Sequence, residues 1–141
     1  MATAADAELI LKLYEMRREE TIRKARRFLV FEFQPKTVEE LRVVSRDTKA
    51  EHNPSWRQVL SYWEMAASLV LRGALDADLF LDSNNEGILL YAKFHHFHAE
   101  TEKQSGNRFM AQTAALIDTY PAAKYRYESF RKSFGLDKPA V

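Results

Sequence analysis

His95, His96 and His98 stand within one helical turn in the stretch YAKFHHFHAE, with Glu100 and Glu102 close behind. Imidazoles and carboxylates are the common ligands of zinc and iron, so a metal centre is the first chemistry to weigh. On a helix the ligands must share a side. His95, His98 and Glu102 do, at i, i+3 and i, i+4 spacings, whereas His96 points nearly opposite, beside Glu100. A bundle metal site asks for more than this. Di-iron carboxylate bundles use two Glu-x-x-His pairs with further glutamates from facing helices, and this chain contains no Glu-x-x-His and no His-Glu-x-x-His. A further ligand would have to come from Glu64, Glu15 or His52, and no pattern aims any of these at the histidines. The expectation is therefore an edge-of-core histidine bonded to a neighbour and two solvated ones. His95, His98 and Glu102 are kept as the candidate metal set, and no cofactor is expected.

Glu64, in YWEMAA, sits on a helix whose polar arc is narrow, so burial would oblige it to pair or to take up a proton. Arg18 interrupts the apolar row between Leu11 and Ile22, and an Arg18–Glu64 ion pair is the expected partnership. The run RREETIRKARR is rich in cations, but its glutamates are interleaved, no second basic segment accompanies it, and the net charge is only +1. That argues for a solvated face and against nucleic acid. With no cysteine, no Gly-x-Ser-x-Gly and no glycine-rich phosphate loop, no catalytic motif supports an enzyme.

The elements that would position these groups are all helical. From Asp6 to Phe33 there is no glycine or proline, which predicts one long first helix capped by Thr3 or Asp6. Ile10, Leu11, Tyr14, Thr21, Ile22, Ala25, Phe28 and Leu29 would form its apolar face. Its end, FLVFEF, is apolar all round and must either sit deep in the fold or meet another chain. Pro35 stops it, TVEE reads as a capping box for a short second helix ending near Thr48, and Asn53 with Pro54 opens a third that runs to Gly73. Trp56, Val59, Leu60, Trp63, Ala66, Ala67, Val70 and Leu71 give that third helix a broad apolar face, which makes it the centre of the fold. A short turn follows Asp76, with Leu75 stapled to Phe80. A fifth helix spans about Ile88–Gln104, a sixth is capped by Asn107, and a last one opens at Pro121. The tail from Gly135 to Val141 is expected to fray.

These segments predict an all-α fold: a single antiparallel bundle of about five main helices plus two short ones, with residues 1–141 as one domain. MATAADAEL resembles no signal sequence and no stretch approaches a membrane span, so a soluble cytoplasmic protein without membrane contact is expected. The segment WRQVLSYWEMAASLVLRGALDADLF, residues 56–80, resembles the central part of a bacterial family of uncharacterised helical proteins, a domain of unknown function. The resemblance rests on Tyr/Trp-Glu followed by small residues, an aliphatic pair, Gly-x-Leu-Asp and a short Asp-Leu-Phe turn. It implies a helical fold and carries over no activity. Several members of that family carry an N-terminal membrane helix, and none is expected in this chain.

Aromatic residues make up 12% of the chain, more than so small a bundle must bury, and any that stay exposed would form an association patch. The functional expectation is a protein–protein interaction or structural module, with a homo-oligomer or another protein as partner. The alternative is a small-ligand or metal-binding protein or enzyme, using a His/Glu pocket between the third and fifth helices.

Overall fold

The computed structural model describes residues 1–136. Among them are nine α-helices: α1 (Ala4–Arg17), α2 (Glu20–Arg27), α3 (Val38–Arg46), α4 (Asn53–Leu71), α5 (Ala77–Ser83), α6 (Glu86–Phe94), α7 (Ala99–Ser105), α8 (Ala111–Thr119) and α9 (Pro121–Ser133). A π-helical turn (Phe28–Glu32) continues α2, and a 3₁₀ turn (His95–His98) links α6 to α7. The fold is all-α, as expected. No described helix is long and apolar enough to cross a membrane.

α4 is the centre. Trp56, Val59, Tyr62, Trp63, Ala66, Ala67 and Val70 are all buried, and α2, α3, α5, α6 and α8 pack around them. One aromatic cluster ties this helix to its neighbours: Trp56 lies 5.1 Å from Phe94 and 6.1 Å from Phe109, ring centre to ring centre. Gly87 lets α6 approach closely, because a Cβ there would stand 3.0 Å from the Cβ of Trp63.

The first expected helix is in fact two. It breaks at Arg18 and Glu19, where the Glu19 carboxylate caps α2 by accepting from the amides of Thr21 and Ile22 at 3.0–3.2 Å. A straight helix over the expected span would run about 40 Å, longer than the core it serves. The break lets α1 pack against α5 while α2 packs against α4. It also uncouples the two apolar faces. α1 turns Leu9, Ile10 and Leu13 inward and leaves Leu11 and Tyr14 exposed, contrary to the single continuous face. The fifth expected helix is likewise interrupted, by the 3₁₀ turn at the histidines.

Capping was read well at several ends. Thr3 and Asp6 form a reciprocal capping box, Asp76 accepts from Leu79, and Gly73 ends its helix at φ 78°, while at TVEE only half of the expected box forms: Thr37 accepts from the Glu40 amide, and the Glu40 carboxylate takes the Lys36 amide instead. Two ends differ. Asn53 is not the N-cap of α4 but a buried residue within it, donating to the Val44 carbonyl at 2.7 Å and accepting from Arg57 at 2.8 Å. Asn107 does not cap α8, which begins four residues later, after Met110 at φ 45°. Gly135 and Leu136 are ordered as a helix cap, Leu136 N–H donating to the Arg131 carbonyl at 2.9 Å, while the rest of the expected frayed tail, 137–141, lies outside the described residues.

Candidate functional site

The 3₁₀ turn spreads the histidines. His95 Nε2 lies 3.2 Å from Glu102 Oε2, and the other oxygen of Glu102 accepts the Phe109 amide at 2.7 Å. His98 donates through Nδ1 to the Phe94 carbonyl at 3.0 Å and stacks on Phe109, ring centres 3.8 Å apart and nearly parallel. Burial holds the His98 imidazole below its usual range, against the opposing pull of the Phe94 carbonyl and Glu102. These contacts fasten the Phe109 loop to α6. Among the described residues no three His, Asp or Glu side chains are grouped to hold a metal ion. His96 is the most exposed of the three, with part of its ring covered by Phe97.

Glu64 and Arg18 are not brought together. Arg18 is exposed, its guanidinium 5.3 Å from the Tyr14 ring. Glu64 caps α8 from a distance, accepting the amides of Gln112 and Thr113 at 3.0 and 2.8 Å and the Thr113 hydroxyl at 2.7 Å. A carboxylate at a helix N-terminus meets unpaired amides and the positive end of the helix dipole, so it needs no arginine. This is why α8 starts without a local cap. Glu64→Ala is expected to lower stability by about 1–2 kcal/mol, and Glu64→Gln by less, in urea unfolding followed by circular dichroism. Between α4 and α6 the structure shows a void of about 10 Å³ among Trp63, Gly87, Ile88 and Thr113.

The chemically dense surface lies elsewhere, along α2 and the π-turn. Arg26 makes a two-pronged bond to Glu86 at 2.8 and 2.9 Å and donates from its third nitrogen to the Arg17 carbonyl at 3.1 Å. Trp63 Nε1 donates to the same Glu86 at 2.8 Å, and the Arg17 guanidinium donates to Asn84. Above this node opens a groove of about 440 Å³, lined by Arg23, Lys24, Arg26, Arg27, Val30, Phe31 and Glu86. Glu86 is the one acid in that lining and it is already engaged by Arg26 and Trp63. Lys24 has an exposed partner in Glu20 at 2.9 Å and Arg27 a looser one in Glu32 at 3.7 Å, pairs that offset little of the charge. Phe31 stands on this surface 74% exposed.

Residues 2–120 match a protein family described as a domain of unknown function, DUF4760. The chain belongs to that family. No curated protein and no solved structure matches it. The match takes in the segment 56–80 that mainly carried the sequence resemblance and the long first stretch before it, and also both the groove and the histidine turn.

Neither Phe31, the Arg26–Glu86 node nor Lys93 was singled out from the sequence. Lys93 carried a signal: it falls in the apolar row of Leu90, Phe94 and Phe97, where a lysine must find acceptors or stay neutral. Phe31 carried none, because only the π-turn decides which of the FLVFEF side chains face outward.

Proposed function

We propose that this protein is a self-associating interaction module in which the α2 groove of one copy receives α1 of a second. The observation that carries it is Phe31, 74% exposed on a cation-lined groove. A large aromatic at that exposure suits burial by a partner, and the surrounding arginines and lysine select one that brings acidic groups. The same chain supplies such a face. On α1, Glu8, Leu11 and Glu15 fall on one side of the helix, all exposed, with Leu11 at 65% and Lys12 at the border. A two-fold dimer would place each acidic, leucine-centred strip on the other copy's groove, so that both contacts form at once.

Sedimentation equilibrium over a range of concentrations tests this. A dimer at tens of micromolar is expected, weakened as salt screens the pairs. Phe31→Ala should raise the dissociation constant by about a thousandfold, since it removes roughly 2 kcal/mol of apolar burial at each of the two contacts. Leu11→Glu should act in the same direction. A protein that stays monomeric at millimolar concentration overturns the reading.

A further inference from the structure

Lys93 is 7% exposed, and its position follows from a defect in the backbone. In the π-turn the Phe33 amide donates to the Phe28 carbonyl. The carbonyl of Val30 would next look to residue 35, which is proline and has no N–H. The carbonyls of Leu29 and Val30 are left without backbone donors, and Lys93 Nζ reaches across from α6 to supply both, at 2.7 and 3.2 Å. Two acceptors match the two N–H bonds of a neutral amine. The third proton of an ammonium meets no oxygen acceptor among the described residues, though the Phe94 ring lies 5.2 Å from Nζ, and burial draws the amine down from 10.5 to about 8. His96 shares its surroundings, held below its usual range by partial burial and by the charges of Arg131 and His95.

Lys93 also borders a cavity of about 190 Å³, with Gln34, Pro35, His96, Phe97 and Phe134 among its walls. At about 30 Å³ per water, that volume takes a molecule of roughly half a dozen non-hydrogen atoms. We propose that Lys93 is a carbonyl-capturing amine whose Nζ condenses with a small, mainly apolar aldehyde or ketone seated between Phe97 and Phe134. With both N–H bonds committed to the π-turn, the lone pair is the free valence of the nitrogen. It attacks the carbonyl carbon, the C–N bond forms, and the carbonyl oxygen takes up the proton that the nitrogen releases, giving a carbinolamine. Cleavage of its C–O bond expels one water and leaves the imine, with no change of oxidation state. Neutral His96 is the group in the cavity able to carry protons between nitrogen and departing oxygen. Uptake of one proton from solvent gives the protonated imine, whose single N–H can still donate to the Leu29 carbonyl.

The probe is butanal at sub-millimolar concentration with sodium cyanoborohydride, added to the full chain at pH 7.5, with butylated lysines located by peptide mass spectrometry. At that pH an amine near pKa 8 has about two hundred times the neutral fraction of one at 10.5. Lower intrinsic nucleophilicity takes back part of this, and labelling of Lys93 at least about tenfold faster than of exposed Lys12, Lys24 and Lys103 is expected, rising to a plateau above pH 8. His96→Gln, at an exposed position that leaves the fold intact, should slow Lys93 labelling severalfold without changing the surface lysines. Labelling of Lys93 no faster than of those lysines in the native protein overturns the proposal, as does labelling that appears only once urea has unfolded the chain. The unsubstituted protein decides the matter even if Lys93→Met fails to fold.

Discussion

Glu86→Ala should lower the unfolding free energy by about 3–4 kcal/mol, one of the largest losses available to any single polar substitution in this fold. The side chains of Arg26 and Glu86 are only 24% and 18% exposed, so removing the carboxylate strands a guanidinium that water reaches poorly. It also leaves the indole N–H of buried Trp63 without its acceptor, a separate cost of about 1–3 kcal/mol that overlaps the first. The node is placed where the damage spreads. Arg26 belongs to α2, its third nitrogen holds the last carbonyl of α1, Trp63 is on α4, and Glu86 opens α6. For a chain of this length the loss corresponds to a fall of roughly 10 °C in Tm. Urea unfolding with an unchanged m value would show that stability alone has moved. Replacing the pair together, Arg26→Met with Glu86→Leu, should recover much of the loss, because desolvation of both charges is then relieved. A single-substitution loss below about 1 kcal/mol would mean that water already serves the node.

The second large effect is one of pH, and its direction is unusual. Lys93 sits at about 8 in the folded protein against 10.5 when free, so between those values the unfolded chain binds more protons than the folded one. Stability from this group is fully present above 10.5 and is lost as pH falls through 8. Raising the pH from 8 toward 10 should therefore stabilise the fold, by about 2 kcal/mol. Tyr62 and Tyr91 set the upper limit. Burial raises both phenols above 10, so their contribution is present below that value and disappears above it as the unfolded chain ionises first. The expected curve climbs from pH 8, peaks just below 10 and then falls. Urea midpoints at pH 7, 8, 9, 10 and 11 would trace it, and Lys93→Met should flatten the climb while leaving the fall. A wild-type curve that is flat or descending from pH 8 to 9.5 would show that Lys93 is charged without penalty.

Both effects depend on groups that one-dimensional reading handles poorly. The metal question could be posed from His95, His98 and Glu102, but its outcome depended on Phe109, which arrives from a different segment to take the other oxygen of Glu102 and the face of His98. The narrow polar arc of its helix shows that Glu64 needs partners if buried, but points to Arg18. The partners themselves, the first amides of α8, lie 48 and 49 residues away, and no periodicity connects them.

Periodicity, caps and breakers in the sequence determined that the chain is all helical, that Trp56–Leu71 is its buried axis, and where most helices stop, because these depend on interactions within a few residues of one another. Tertiary structure decided the rest. Packing two faces against different neighbours broke the first helix at Glu19. The π-turn pushed Phe31 into solvent and left the Leu29 and Val30 carbonyls for Lys93 to satisfy. A buried charge or an unpaired carbonyl is satisfied by whatever lies nearest in space. That neighbour is chosen by the fold, not by its distance along the chain.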